Sequence, residues 1–429
     1  MPEGPRILEV PYGTGSESCP IRPGRTVRAL VPAPARKAAG QDASVIAAQA
    51  LGNPLGSPRL SELAKGKKDV VVLSSDHTRP VPSAATMPLL LKEIRDGSKN
   101  AKITILIGVG CHRGSTREEM EAKYGNAIAR DESIVNHDPH DEGMLASLGS
   151  LPSGGELRLN RRALECDLLI AEGLIEPHQF AGFSGGPKSV LPGIAAFKTV
   201  LASHNAEFTV HPLARPGSLE GNPFQVDMAY AARKAGLAFI LNVTLDPGKN
   251  VEAAFAGDFL DSHRKGCAHV LAQCAVKAAP APIVVTSNGG YPLDQNIYQS
   301  TKSIMAADLT CQDGGVIIAV NECRDGSGSE AFLDSFRKAG SLKGLLEGIE
   351  ARGREDTIPD QWVTQLTASI LLRRTVIMVT KAKCEDVTAL GMVKADTLAE
   401  ALAMADSIVG DPMAPISVLP NAVALVIRP

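Results

Sequence analysis

Short runs of consecutive apolar, often β-branched residues alternate along this chain with longer amphipathic stretches. "DVVVLSS" (69–75), "AKITILIGV" (101–109), "CDLLIAEG" (166–173) and "AFILNVTLD" (238–246) read as strands buried on both faces. After the first comes the helical stretch "PSAATMPLLLKEIRDG", with Ser83 placed to cap its N-terminus. After the second, "GSTREEMEAKYG" carries a capping box, formed either by Ser115 with Glu118 or by Thr116 with Glu119. The pattern restarts with "PIVVTS", "GGVIIAVNE" and "TVIMVTKA" as strands, and "NAVALVIRP" is a last strand with no helix after it. Apolar strands separated by helices predict an α/β protein with parallel sheets covered on both faces. The Ala/Pro-rich "KAAPAP" (277–282) is the candidate linker between two domains. The expected domains are 1–275, to which about 408–429 return, and 281–405.

In open parallel sheets, ligands bind beyond the carboxyl ends of the strands. Polar, glycine- or proline-marked clusters sit at those ends: "SSDHTRPVPS", "GCHRGS", "EGLIEPHQFAGFSGG" and "SNGGYPLDQNIYQSTKS". Together they predict one shared site. Asp76, Arg79 and Lys302 lie in these loops, and the guanidinium fork and the ammonium suit a small carboxylate or phosphate.

Composition narrows the partners. A length of 429 residues suits two domains, and a formal net charge of −3 gives no reason to expect nucleic acid or a membrane surface. No apolar run has membrane-spanning length, and eight scattered cysteines without a C-x-x-C pair predict reduced thiols and a cytoplasmic location. Cys111, beside His112, reads as an inert core thiol.

Two nucleotide motifs nearly appear and fail. "GVGCHRG" has Arg113 where a dinucleotide fingerprint needs its third glycine. "GFSGGPKS" has Pro187 before Lys188, where a P-loop needs a glycine offering an amide to phosphate. Glycines 182, 185 and 186 still permit close backbone approach to a ligand. His112, His178 and His204 each flank such a loop, so two imidazoles are available for proton exchange and a third for a metal. His137 and His140 of "NHDPH" are read as part of a capped turn.

"SSDHTRPVPS", "CHRGST", "EPHQFAGFSGGPKSVLPGI", "SNGGYPLDQNIYQSTKS" and "IPDQW", in that order over most of the chain, resemble the lactate racemase family of nickel-pincer-nucleotide racemases and epimerases. The resemblance implies two Rossmann-like α/β domains with the active site in the interdomain cleft, the C-terminal segment returning to the N-terminal domain. It implies interconversion of D- and L-2-hydroxy acids, lactate by default, by hydride transfer to the tethered cofactor. That cofactor is pyridinium-3-thioamide-5-thiocarboxylic acid mononucleotide with Ni(II), attached covalently at Lys188. His204 would be the protein's nickel ligand, and His112 and His178 the paired acid/bases. Asp76, Arg79 and Gln299 would bind the cofactor; Arg79, Lys302, Tyr298, Phe180 and Trp362 would bind or wall the substrate. Gln179, next to His178, adds a hydrogen-bonding group suited to a more polar 2-hydroxy acid. The partners implied are that substrate and the enzymes that build the cofactor. The competing readings are a nicotinamide-dependent 2-hydroxy acid dehydrogenase and a non-enzymatic binder of small carboxylates.

Overall fold

The computed structural model describes residues 6–32, 42–246 and 248–428, which fall into two compact units. One unit takes in residues 42–204 and 211–272. Its sheet of six strands runs in the order Val251–Gly257, Leu237–Leu245, Leu168–Leu174, Asp69–Ser75, Lys102–Gly108 and Ser133–Asn136. All neighbours are parallel except the edge strand Val251–Gly257, which pairs antiparallel with Leu237–Leu245. The central strands are Val-, Ile- and Leu-rich because both of their faces are covered. On one face Leu60, Met87, Leu90, Ile94, Ile105 and Phe239 close a core from which water is excluded. Each such side chain contributes about 1.5–3 kcal/mol by burial.

Two caps differ in outcome. Helix Arg117–Tyr124 begins with the Thr116–Glu119 capping box, the second of the two pairings expected. Helix Ser83–Gly97 has Ser83 as its first residue rather than its cap; Pro82 occupies the cap and offers no side-chain bond. The Ser83 hydroxyl donates instead to the Glu172 carboxylate on strand Leu168–Leu174 (2.5 Å), a charge-assisted bond.

The second unit takes in the described residues up to 32, Asn205–Val210, and those from Gln273 to 428. Its all-parallel sheet has the order Val393–Ala395, Thr375–Val379, Cys311–Val320, Ala281–Thr286, Ile416–Leu419 and Val27–Ala29. Apolar clusters cover both faces, one including Phe332 and Phe336, the other Leu8, Val10 and Leu398. These compact units divide the chain differently from the expected domains. The first residues, placed above in the N-terminal domain, form a hairpin, Ile7–Tyr12 with Gly15–Pro20, within this second unit. Residues 408–429, expected to return to the N-terminal domain, lie here too as far as they are described. Ile416–Leu419 fills the open side of Ala281–Thr286, and Val426–Arg428 pairs with Ala275–Lys277. The physical reason is that Ile283, Val284 and Val285 form a central strand that must be hydrogen-bonded on both edges and is wholly buried. "KAAPAP" accordingly lies inside this unit, between two of its strands, rather than between domains. No helix among the described residues is long and apolar enough to cross a membrane.

Candidate functional site

The loop after strand Asp69–Ser75 places Asp76, nearly fully buried, against His112 from the loop after strand Lys102–Gly108. His112 Nδ1 lies 2.7 Å from Asp76 Oδ2, and Asp76 Oδ1 accepts from the Thr78 amide (2.9 Å) and hydroxyl (2.5 Å). Burial alone would raise the Asp76 carboxyl, but the hydrogen bonds from His112 and Thr78 outweigh it and hold the group at about 2. Asp76 is thus ionised, and a carboxylate only accepts, so His112 Nδ1 donates and the neutral ring carries its lone pair on Nε2. Half of the His112 side chain is exposed. Arg79 joins the cluster by donating to the Thr78 hydroxyl (3.1 Å). Cys111 is exposed, so the expectation of a core thiol is corrected: its strand ends at Gly108, and the loop beyond it carries residue 111 to the surface.

His178 lies on a short antiparallel ladder, Pro177–His178 with Gly182–Phe183. The Ala181 amide donates to His178 Nδ1 (3.3 Å), so the neutral ring bears its proton on Nε2. Its edge meets Phe180, a buried ring that also lies edge-on to His204. Each of the two rings thus has its Nδ1 engaged by a neighbour, Asp76 for His112 and the Ala181 amide for His178.

Lys188 is carried on the 3₁₀ turn Gly186–Ser189. Gly186 has φ +52°, and a Cβ there would come within 2.4 Å of the His263 ring, so glycine is required for both conformation and space. Asn242 Oδ1 accepts from the Gly186 amide (2.7 Å), and His263 Nε2 donates to the Ser184 carbonyl (2.8 Å). Burial pushes His263 down to about 4, so it holds the turn as a neutral donor.

His204 closes helix Phe197–Ser203 as its C-cap. Its Nδ1 donates to the Val200 carbonyl (2.8 Å), which places the neutral ring's lone pair on Nε2. Burial, with a smaller effect of the Lys188 charge, holds the imidazole at about 4 and so keeps it unprotonated. Lys188 and His204 line one small recess together with Phe180, Pro192, Ser203 and Met228. No group of three or more His, Cys, Asp and Glu side chains among the described residues forms a metal cage of its own. His137 is a buried structural histidine, its ring bonded to Ala195 and Asn160.

In the second unit, Tyr298, Gln299 and Lys302 share the partly exposed start of helix Ile297–Asp308, capped by Asn296. The Tyr298 hydroxyl donates to Asp360 Oδ1 (2.9 Å), which ties it to the turn preceding Trp362 on helix Gln361–Leu371. The expected residues thus assemble as Asp76–Arg79–His112, as His178–Phe180–Lys188–His204, and as Tyr298–Gln299–Lys302 with Trp362. Thr78, Glu172, Asn242 and His263 were missed. For two of them the signal lay in plain view, a polar residue inside an apolar strand: Glu172 in "LLIAEGL" and Asn242 in "LAFILNVTL".

Residues 12–217 match the lactate racemase N-terminal domain, and residues 276–427 match the lactate racemase C-terminal domain. The lactate racemase of Thermoanaerobacterium thermosaccharolyticum is 48% identical over 422 residues, 98% of this chain and 99% of that protein. The lactate racemase of Lactiplantibacillus plantarum is 46% identical over 381 residues, 89% of this chain and 90% of its own. The solved apoprotein of the T. thermosaccharolyticum enzyme superposes with a TM-score of 0.94 at 47% identity, covering 99% of this chain and 100% of that one. A Thermotoga maritima protein, 19% identical with a TM-score of 0.61 over 88% of this chain and 99% of its own, shares the fold. With both family domains matched in order and near-full-length likeness in sequence and fold, the chain belongs to the lactate racemase family and is an isomerase.

Proposed function

We propose that this racemase interconverts the D and L forms of a 2-hydroxy acid, lactate by default, with His112 and His178 as the paired acid and base. The observation that carries this reading is the Asp76–His112 contact: the ionised carboxylate at Nδ1 leaves Nε2 of the neutral His112 ring as a proton acceptor and offsets the charge of the imidazolium that forms. Racemisation needs one group to remove the hydroxyl proton and another to restore one after the carbon has been inverted. Asp76 compensates the charge that His112 gains on accepting the proton, and it keeps Nε2 as the accepting atom. Arg79 and Lys302 suit the substrate carboxylate, and Tyr298, Phe180 and Trp362 its walls.

The residues fit a nickel-pincer nucleotide. Lys188 and His204 line the same recess, His204 is held unprotonated with Nε2 as its donor atom, and one imidazole suits a metal whose other ligands come from the cofactor. Lys188 would tether the nucleotide, His204 would ligate its nickel, and Asp76, Arg79 and Gln299 would contact its polar groups. When bound, that group supplies the hydride acceptor, which spares the enzyme a carbanion beside an ionised carboxylate. The enzymes that build the cofactor are then required partners. A cytoplasmic location suits eight cysteines that form no disulfide among the described residues.

Protein made alongside the cofactor-building enzymes should show a mass adduct that Lys188→Ala removes, and racemise lactate. Activity from unmodified, nickel-free protein would overturn the cofactor reading. A panel of D- and L-2-hydroxy acids tests the substrate. Gln179, whose buried Oε1 lacks a hydrogen-bond donor among the described residues, makes polar side chains the first alternative to lactate.

A further inference from the structure

Glu172 is an acidic residue in the middle of an otherwise apolar strand, and almost none of it is exposed. Three hydroxyls converge on it. Oε1 accepts from Ser74 (2.6 Å) and Ser83 (2.5 Å), and Oε2 accepts from Thr86 (2.7 Å). These donors are not scattered: Ser74 is on the strand just before the Asp76–Arg79 loop, and Ser83 and Thr86 are in the first turn of the helix just after it. That helix lacks a side-chain cap of its own, so Glu172 also brings negative charge to its N-terminal end.

The same network reaches the other half of the pair. The His112 loop runs into helix Arg117–Tyr124, whose last two residues turn back toward the Asp76 strand. Tyr124 donates to the Ser74 hydroxyl (2.9 Å), and Lys123 donates to Ser75 Oγ (3.1 Å) and to the Asp76 carbonyl (3.2 Å). Burying an acidic side chain among neutral hydroxyls is costly unless every bond is made. The cost is understandable where the bonds fix something whose geometry matters.

We propose that Glu172 is a positioning residue for the Asp76–His112 pair, clamping both ends of the loop that carries Asp76 and Arg79. It touches neither substrate nor cofactor; it acts by holding the Asp76 carboxylate where His112 Nδ1 must donate to it. The consequence for catalysis rests on the racemase reading above, whereas the clamp itself does not.

The test is therefore made first on the full-length apoprotein, with ¹⁵N-labelled histidine and a long-range ¹H–¹⁵N spectrum that reads each ring's tautomer. His112 is assigned by its loss in His112→Gln. In the native protein and in Glu172→Gln, which keeps shape and most acceptors, His112 should be fixed as the Nδ1–H tautomer. In Glu172→Ala, and in the double variant Ser83→Ala/Thr86→Ala, it should become a mixture of tautomers. Should Glu172→Ala fail to fold, the double variant and the single Ser83→Ala and Thr86→Ala variants decide the matter. In the cofactor-loaded enzyme, kcat for lactate should fall by about tenfold in the double variant and stay within about threefold in Glu172→Gln. An unchanged tautomer in the double variant, or loss in Glu172→Gln as complete as in Glu172→Ala, overturns the clamp. A loaded native enzyme that does not racemise would instead overturn the proposed function, leaving the tautomer result to stand by itself.

Discussion

Asp76→Asn is the substitution whose outcome the geometry fixes most sharply. The carboxamide has the same shape, and its oxygen can keep the two Thr78 bonds. Its NH₂ then faces His112 Nδ1 and can only donate, so the ring must turn to the other tautomer, with the proton on Nε2 and no base left there. If His112 is the general base proposed above, its loss in that role costs about 10²- to 10⁴-fold in rate, or about 3–5 kcal/mol of barrier. Stability changes as well. The folded Asp76 carboxyl titrates near 2 against an ordinary 3.8, a difference equivalent to about 2 kcal/mol. Because the His112 partner is half exposed, solvent screening reduces this to about 1–2 kcal/mol. A depressed carboxyl stabilises the fold fully above about pH 4, and the contribution disappears as pH falls toward 2. Chiral analysis of lactate with loaded enzyme, matched for nickel content, measures the first effect; urea melts at pH 7 and pH 3 measure the second. A variant that keeps kcat within about threefold of native would refute the tautomer argument.

Three further outcomes follow from the same geometry. Gly186→Ala should lower unfolding stability by about 1–3 kcal/mol, from its positive φ and its collision with His263, and the urea midpoint reads this directly. On the proposed cofactor reading, His204→Ala should leave the fold and a Lys188 adduct intact while the nickel content per chain falls, which elemental analysis of purified protein measures. His263 is kept neutral in the fold with a value near 4 against an ordinary 6.5. Its stabilisation, about 3 kcal/mol, is therefore present above pH 6.5 and is lost as pH falls to 4; a flat stability between those limits would contradict this.

The strands were legible in the sequence because their apolar runs leave little alternative: Asp69–Ser75 and Lys102–Gly108 appear where "DVVVLSS" and "AKITILIGV" place them. Strand partners were not legible. Which edge accepts Val27–Ala29 or Ile416–Leu419 depends on unsatisfied hydrogen bonds and apolar faces across hundreds of residues, and no local pattern carries that information. Candidate site residues were legible as polar types at strand ends, and Lys188, His204 and Phe180 line one recess. Its supporting residues were hidden for a related reason. Ser83 looked like a helix cap from its neighbours in sequence, yet its partner, Glu172, lies 89 residues away. Cys111 reads in sequence as an inert core thiol, and only the path of the loop beyond Gly108 exposes it.

On the proposed roles, the Asp76–His112 contact has a kinetic consequence. After one enantiomer is converted, the histidine that acted as base would hold a proton and the one that acted as acid would have lost one. The protein would then alternate between two protonation forms, each suited to one hand of substrate, until a proton returns through water. Where that return is slower than the chemistry at carbon, it limits turnover at saturating substrate. A labelled enantiomer near equilibrium should then be driven transiently away from its balanced ratio when its unlabelled mirror image is added in excess.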